Sequence, residues 1–225
     1  MASAAFTPQI APVDPARPAH GHRVPGLRDC LALTGLLLDY PDDGLVARRD
    51  GLLEAARGLP ASTPARDIAG FCQWFAAADP DEVRVEYVRT FDHRRRNALY
   101  MTFAANGDTR GRGEALLAFK RLYARSGFTV DTDELPDYLP LILQFAAMAD
   151  ESAGAAALAM ARPGVELVAR SLREGGSPWA RLLAAVLGCV PPLDADGQAL
   201  LDTLVAQGPP TELVGAGAGS QGAQA

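Results

Sequence analysis

One segment of the sequence, residues 139–149, carries a single polar side chain, that of Gln144. Pro136 and Pro140 stand at its beginning, where proline costs a helix little because the first backbone N–H groups have no intrahelical partner. A helix that is apolar on every side is stable only when other elements cover every side. The segment therefore predicts a central helix, and the rest of the chain must supply the helices that surround it.

Apolar residues recur at helical spacing through most of the remaining sequence, and proline or glycine marks the ends of the periodic segments. Thr63 with Pro64 and Asp79 with Pro80 have the residue types of a helix N-cap followed by the first helical position. Around the central segment the pattern predicts helices at about 27–39, 43–57, 63–75, 79–91, 108–126, 152–172, 178–189 and 195–206. We expect an interruption of the helix at 152–172 at Pro163-Gly164. We expect an all-α fold, a single globular helical domain of about eight helices.

The segment 98–103 is apolar but breaks the helical pattern. It predicts a short strand or a buried extended stretch, and we expect no sheet because no partner strand is evident. The two chain ends are rich in proline, alanine and glycine without periodicity, which is typical of disordered tails. We therefore divide the chain into a disordered tail at 1–25, the helical domain at 26–207 and a disordered tail at 208–225.

The three cysteines, Cys30, Cys72 and Cys189, lie far apart within apolar helical patterns. We interpret them as small buried hydrophobic residues of a protein from a reducing compartment. The N-terminal residues lack the apolar core of a signal peptide, and no apolar stretch is long enough to cross a bilayer. We expect a cytoplasmic protein.

The formal net charge is −6, but the charge is unevenly distributed. Residues 84–125 hold ten basic and four acidic side chains, and the remainder of the chain is strongly acidic. The densest basic feature, at 94–96, has three open interpretations: a solvated loop, a site for an acidic partner, or a helical nucleic-acid-binding module. The last would use Arg94, Arg95 and Arg96 with Arg110, Arg112, Lys120 and Arg121 as phosphate contacts. The acidic overall balance argues against nucleic acid.

The sequence shows no catalytic or metal-binding constellation. Nucleophilic catalysis needs a serine or cysteine beside a base, and His93 is the one histidine of the helical region, with no nucleophile paired to it. Three scattered cysteines do not make a structural zinc site, and the glycines at 107–113 lack both a Walker lysine and a preceding strand. We expect no enzymatic activity and no stably bound cofactor or metal.

Four acidic residues precede the central helix: Asp131, Asp133, Glu134 and Asp137. Carboxylates near a helix N-terminus stabilise the helix by roughly 0.3–1 kcal/mol each. The same groups are suited to a basic peptide. General acid–base catalysis is the least supported alternative, because nothing separates an acid from a base.

Several short motifs, taken in order, resemble one family. They are Leu36-Leu37-Leu38-Asp39-Tyr40-Pro41-Asp42, Glu86-Tyr87-Val88 with Phe91-Asp92, Gly107-Asp108-Thr109-Arg110 with Arg112-Gly113, Gly127-Phe128, and Asp133-Glu134-Leu135-Pro136-Asp137-Tyr138-Leu139-Pro140 with Phe145. Together they look like the NarJ or delta-subunit family, the assembly chaperones of respiratory nitrate reductase, within the TorD-like molybdoenzyme chaperones. The resemblance covers residues 27–189, with tyrosine at 138 where the family commonly has histidine and glutamine at 144 where it commonly has glutamate.

The resemblance implies the all-helical fold of these chaperones and no catalytic activity. Such proteins bind the N-terminal segment of the apo catalytic (alpha) subunit, keep it competent for insertion of the molybdenum cofactor, and delay its membrane docking until loading is complete. The cofactor, bis-molybdopterin guanine dinucleotide, goes to the client. Cofactor-biosynthesis proteins are further candidate partners. We expect a monomer rather than a dimer, no membrane insertion and no nucleic acid.

We expect the peptide to lie in an apolar groove between helices, as amphipathic segments commonly do. The candidates for the groove are Tyr87, Phe91, Tyr100, Phe103, Leu139 and Leu143, with Phe119 and Tyr123 as additional ones. Core packing is the alternative for each, and it is favoured for Phe91, Phe119 and Leu143. The other candidate binding residues, most of them charged residues of a rim, are Asp92, Arg94, Asp108, Arg110, Arg112, Asp133, Glu134, Pro136, Asp137 and Tyr138.

Overall fold

The computed structural model describes residues 5–8, 24–106, 110–131 and 133–190. Within these ranges the helices are α1 (Leu27–Leu37), α2 (Asp43–Ala47), α3 (Arg49–Gly58), α4 (Thr63–Ala77), α5 (Pro80–Tyr87), α6 (Met101–Asn106), α7 (Arg110–Arg125), α8 (Leu139–Met148), α9 (Glu151–Glu174) and α10 (Ala180–Cys189). A π-helical turn (Val88–Asp92) and a 3-10 turn (Arg95–Asn97) lie between α5 and α6. The prediction of an all-α fold is confirmed.

Helix α8 lies at the centre of the described structure, in agreement with its composition. Leu139, Leu141, Ile142, Leu143 and Phe145 are all buried. Helix α1 packs against one part of α8, and α9 packs against another. Burial of one such side chain stabilises a fold by roughly 1.5–3 kcal/mol, so α8 is a principal source of this fold's stability.

A second group of helices packs beside this centre. Helix α10 contacts α4, α9 and α1, and Trp179, directly before α10, is almost wholly buried. The indole of Trp179 lies 5.2–5.7 Å, between ring centroids, from four other aromatic rings. Aromatic pairs at this spacing contribute about 0.5–1.5 kcal/mol each beyond their burial. The aromatic cluster, as we name it, consists of Phe71, Trp74, Tyr87, Phe91 and Trp179.

Helix α9 runs unbroken through Pro163 and Gly164, so the expected interruption there is wrong. Helix α6 packs against α9 at this place, and Gly164 lies directly against the backbone of Met101. A β-carbon on Gly164 would lie 2.8 Å from the Cα atom of Met101, closer than van der Waals contact allows. The glycine therefore serves the close approach of two helices rather than a helix end.

Replacing Gly164 with alanine is expected to destabilise the protein, because the atoms it would meet are backbone and cannot move aside easily. Gly51→Ala is the matched control, since Gly51 is exposed in α3 and nothing lies within 4 Å of its β-position. Urea denaturation should show a loss of about 1–3 kcal/mol for Gly164→Ala and a gain of up to about 1 kcal/mol for Gly51→Ala. Equal free energies of unfolding for the two variants would contradict the tight contact.

Several helix boundaries differ from the sequence expectations, and two of the differences have a clear local cause. The predicted helix at 43–57 is two helices, α2 and α3, which meet at Arg48. Helix α4 is capped by Ser62 and not by Thr63, because the Ser62 hydroxyl accepts a hydrogen bond from the N–H of Ala65 at 3.2 Å. Both differences lie within segments that were expected to be helical, whereas α6 is an additional helix in the segment that was expected to be extended.

A short antiparallel pair joins β1 (Ala5–Pro8) to β2 (Phe128–Asp131), so the expectation of no sheet is wrong at this place. Strand β2 does alternate between apolar and polar residues, whereas β1 does not, so the sequence offered no recognisable partner for it. Strand β1 also lies within residues 1–25, where we expected a disordered tail. Several other expectations concern residues outside the described ranges. They are those for the rest of that tail before position 24, for Asp108, for the helix at 195–206 and for the tail at 208–225. No helix in the described ranges combines the length and apolarity needed to cross a membrane.

Candidate functional site

The residues that precede α8 pair with the residues that precede α6. Two backbone hydrogen bonds, of 2.8 and 3.0 Å, form an isolated antiparallel bridge between Tyr100 and Tyr138. The apolar segment 98–103 therefore contributes one bridge residue, Tyr100, instead of a strand, and its second half, from Met101, is the first turn of α6 and not extended as expected. The bridge places the two tyrosine rings side by side, with centroids 5.5 Å apart. Both residues are half-buried, so each keeps some accessible surface.

Each of these tyrosines donates a hydrogen bond to a carboxylate. The Tyr100 hydroxyl donates to Oε2 of Glu134 at 2.9 Å, and the Tyr138 hydroxyl donates to Oδ1 of Asp39 at 3.4 Å. Tyr40 follows Asp39, is 47% exposed, and packs edge-on against the ring of Tyr87 at 5.5 Å. The tyrosine-carboxylate patch, as we name it, consists of Asp39, Tyr40, Tyr100, Glu134 and Tyr138.

The surroundings of Asp39 disfavour its negative charge. Burial raises the pKa of Asp39 from its ordinary 3.8 to about 6, the hydrogen bond from Tyr138 lowers it, and the charges of Glu134 and Asp42 raise it. Within the described part of the chain, no basic side chain forms an ion pair with Asp39. Burial and the contact with Glu134 likewise raise the pKa of Tyr100 to about 12. A cation placed at this patch would relieve the penalty on the carboxylate.

Phe103 lies close to the patch and carries two guanidinium groups over its ring. The central guanidinium carbons of Arg112 and Arg95 lie 5.2 and 5.8 Å from the ring centroid. Such cation–π contacts contribute about 0.5–1 kcal/mol at exposed sites. Burial is the main influence on the pKa of Tyr100, and the charge of Arg112 lowers that pKa, so this arginine lies within electrostatic range of the patch. The site therefore has an acidic side at Asp39 and a basic side at Phe103.

Asp137 and Pro136 support the site from inside and do not form its rim, contrary to the expectation. Asp137 is fully buried, and its Oδ2 accepts hydrogen bonds from the N–H and the hydroxyl of Thr102 at 2.9 and 2.6 Å. These bonds fasten the first turn of α6 to the segment before α8. The buried Pro136 accepts a hydrogen bond from the Tyr123 hydroxyl at 2.7 Å through its carbonyl.

Most residues expected to line an apolar groove lie in the core. The exposed fraction is 6% for Tyr87 and Phe91 and 0% for Leu139 and Leu143. Side chains buried to this extent do not line an open groove, because the aromatic cluster and the neighbours of α8 cover them. Core packing, the favoured alternative for Phe91 and Leu143, describes all four. The two additional candidates, Phe119 and Tyr123, are buried as well.

The remaining expected site residues fall into three groups. Half-buried are Tyr100, Phe103, Arg112, Glu134 and Tyr138. Exposed are Asp92, Arg94 and Asp133. Outside the described residues lie Asp108 and the side chain of Arg110. In the half-buried group, Tyr100 contacts both Glu134 and Tyr138, and Arg112 lies over the ring of Phe103.

Sequence reasoning did not assign Asp39 or Tyr40 to the site, although both lie in the quoted motif 36–42. The available signal was local. Tyr40 is a large aromatic residue directly before Pro41, beyond the end of the apolar stripe of α1. An aromatic residue in that position has no helical face to pack on, which makes it a candidate for contact with a ligand.

The fold resembles that of a crystal structure from Archaeoglobus fulgidus described as a redox enzyme maturation protein. The TM-score is 0.53 at 22% sequence identity, and the match covers 75% of this chain and 93% of that chain. This likeness defines the class of fold. The sequence model of the nitrate reductase delta subunit family matches residues 59–185, which is more than half of the chain. The chain belongs to the nitrate reductase delta subunit family.

Three relatives show the extent of the similarity. The nitrate reductase-like protein NarX of Mycobacterium tuberculosis is 36% identical over 152 residues, which are 67% of this chain and 22% of NarX. A Bacillus subtilis protein described as the nitrate reductase molybdenum cofactor assembly chaperone NarJ is 32% identical over 68% of this chain and 84% of its own length. The Escherichia coli chaperone of the same name is 28% identical over 70% of this chain and 67% of its own length. The match thus spans only 22% of NarX but most of each NarJ protein.

Proposed function

We propose that this protein is a chaperone for the assembly of respiratory nitrate reductase. It binds the N-terminal segment of the apo catalytic subunit in the cytoplasm, supports insertion of the molybdenum cofactor into that subunit, and delays membrane docking until maturation is complete. The chaperone acts as a monomer without catalysis of its own, and bis-molybdopterin guanine dinucleotide goes to the client. Family membership and the descriptions of the NarJ relatives support this proposal.

The observation that carries the binding site is the half-buried Asp39 carboxylate, which no basic side chain of the described chain neutralises. A lysine or arginine of the client segment would supply that charge, with Glu134 as a second acceptor. The exposed Tyr40 and the accessible surface of Tyr100 and Tyr138 would hold the aliphatic stem of the same side chain and the apolar residues next to it. The tyrosine-carboxylate patch therefore suits a basic amphipathic segment.

The two sides of the site also give the client segment a direction. The acidic side lies at Asp39, and the basic side lies at Phe103, where Arg95 and Arg112 place their guanidinium groups. Complementary charges fix the register of a bound partner more than they raise its affinity. We propose that the basic end of the segment lies at Asp39 and that a polar or acidic end lies at Arg112.

Binding must be reversible, because the client leaves after maturation. An affinity between about micromolar and tens of nanomolar, or roughly −8 to −10 kcal/mol, meets this requirement. The buried residues Tyr87, Phe91, Leu139 and Leu143 contribute to it indirectly, by holding α5 and α8 in place under the patch.

Calorimetric titration with a synthetic peptide from the N-terminus of the nitrate reductase catalytic subunit of the same organism tests the proposal. We expect saturable binding in that range, and we expect Tyr138→Ala to weaken it at least about tenfold, because the change removes a ring contact and the hydrogen bond that orients Asp39. Tyr138→Phe keeps the ring and should lose only a few-fold.

A scrambled peptide of identical composition is the control for that titration. Equal binding of the native and the scrambled peptide would show attraction by net charge alone and would contradict the proposal. Native binding that Tyr138→Ala leaves unchanged would keep the chaperone function and remove the patch as its site.

A further inference from the structure

Helix α9 turns an apolar face outward along more than half of its length. Six residues at spacings of three and four lie on this side of the helix. The outer face, as we name it, consists of Ala155, Ala156, Ala159, Met160, Pro163 and Leu167. The first four are exposed and the last two are half-buried. A helix face in contact with water normally carries polar and charged side chains, so this composition indicates a face that another element covers.

The described chain ends at one edge of this outer face. The guanidinium group of Arg162 donates to the backbone carbonyl of Val190 at 3.0 Å and to Oε1 of Glu166 at 2.9 Å. Arg162 lies within one helical turn of Ala159 and directly before Pro163. Val190 is the last residue of the last described range. The residues that follow Val190 in the sequence therefore start next to the outer face.

The sequence after Val190 has the pattern of a helix with one apolar side. Five large apolar residues recur at the spacing of a single helix face. They are Leu193, Leu200, Leu201, Leu204 and Val205. The helix predicted at 195–206 would be about 18 Å long at 1.5 Å per residue. The outer face, from position 155 to position 167, has the same length, so the two apolar surfaces match in extent.

The connection between Val190 and this segment is short. Residues 191–194 span at most about 13 Å, which keeps the segment within reach of α9. A helix of twelve residues is marginal in water on its own, so it needs a surface that covers its leucine side chains. We infer that residues 193–206 form a helix that packs these side chains on the outer face of α9 in the same molecule.

Hydrogen–deuterium exchange of the full chain, followed by mass spectrometry of its peptides, tests this packing. An undocked helix of this length exchanges almost as fast as an unfolded chain. We expect the amides of 195–206 to exchange at least about tenfold more slowly than an unfolded chain of the same sequence. Ala159→Glu should remove most of this protection, because the docked segment would bury an unpaired carboxylate. Leu204→Glu should have the same effect from the other side of the contact.

Ala55→Glu is the matched control, since Ala55 is an exposed alanine on α3 and lies outside the outer face. Its exchange at 195–206 should equal that of the wild type. The amides of α8 should stay protected in all three variants, which shows that the helical domain remains folded. Leu204→Glu keeps the test valid in any case, because position 204 lies outside the described domain.

Four results would each overturn the inference. The first is fast exchange of 195–206 in the wild-type protein. The second is full protection in the Ala159→Glu variant, which would place the segment on another surface. The third is protection that rises with protein concentration, which would assign the outer face to a second copy of the chain. The fourth is protection that arises only when a client peptide is added.

Discussion

Asp39→Asn is expected to stabilise the folded protein and to weaken peptide binding, two effects of opposite sign. Burial raises the pKa of Asp39 to about 6 in the folded protein, while an unfolded carboxyl titrates near 3.8. The folded state therefore binds the proton more tightly, and the free energy of unfolding falls as the pH rises from about 4 to about 6. A shift of two pKa units corresponds to at most about 3 kcal/mol, and partial exposure reduces this to about 1–2 kcal/mol. The side chain of the Asp39→Asn variant carries no charge, so the free energy of unfolding of this variant at pH 7 should exceed that of the wild type by that amount.

The loss of binding has the same physical origin. Asparagine offers the client cation a neutral amide oxygen in place of a carboxylate, and a hydrogen bond to a charged group is stronger by about 1–2 kcal/mol. The dissociation constant should therefore rise about tenfold or more. In the wild-type protein, a pKa of about 6 leaves roughly a tenth of Asp39 ionised at pH 5 and most of it ionised at pH 7. Peptide binding should strengthen about tenfold between these pH values, and Asp39→Asn should lose most of that dependence.

Two measurements separate these effects: urea denaturation and calorimetric titration, each at pH 5 and pH 7. Asp50→Asn is the matched control, since Asp50 is an exposed carboxylate in α3. It should leave the free energy of peptide binding unchanged and lower the free energy of unfolding by no more than about 1 kcal/mol, because Asp50 lies in the first turn of α3. Peptide binding by Asp39→Asn that equals the wild type would remove Asp39 from the site, and a loss of stability at pH 7 would show that its carboxylate is not penalised by burial.

Helix α8 shows what the sequence determines on its own. Eleven residues with one polar side chain among them, at 139–149, have no exposed helical alternative, so composition alone requires their burial. The N-cap at Asp79 follows from local chemistry in the same way. Its side chain accepts hydrogen bonds from the backbone N–H groups of Asp81 and Glu82, which are only two and three residues further along the chain. Features that depend on neighbours along the chain were therefore predictable.

The site shows why the rest was not predictable. Asp39 and Tyr138 are 99 positions apart, and no pattern of spacing indicates that their side chains meet. An aromatic stripe such as Tyr87 and Phe91 has the same sequence pattern whether it faces a groove or the core. These two rings lie in the core because Trp179 packs against both of them. Pro163-Gly164 has the local chemistry of a helix end, but the packing of α6 on Gly164 makes it a contact point.

Trp179→Ala is expected to cause the largest loss of stability among single substitutions in the aromatic cluster. Only 1% of Trp179 is exposed, and its ring contacts the other four members of the cluster. Truncation of a large buried aromatic side chain costs about 3–5 kcal/mol, through lost burial and the cavity left behind. Trp74→Ala is the matched control, because Trp74 belongs to the same cluster but is half-buried, and its loss should be smaller.

The indole N–H of Trp179 allows a finer test. It is buried and has no hydrogen-bond partner among the described residues, so the ring contributes through packing and not through that group. Trp179→Phe should therefore retain more than half of the stability that Trp179→Ala loses. Urea denaturation of the three variants measures this order, and a loss for Trp74→Ala that exceeds the loss for Trp179→Ala would contradict the packing described.

The Trp179→Ala substitution should also weaken peptide binding. The ring of Trp179 packs on Tyr87, whose hydroxyl donates to the carbonyl of Leu38 at 3.0 Å, and Leu38 directly precedes Asp39. Tyr87 also supports the exposed ring of Tyr40. The titration is made at a low temperature at which Trp179→Ala remains folded. There its affinity for the client peptide should be several-fold lower than that of the wild type, whereas Trp74→Ala should bind as the wild type does. The core residues first expected to touch the peptide would then act on it through the position of the patch that they support.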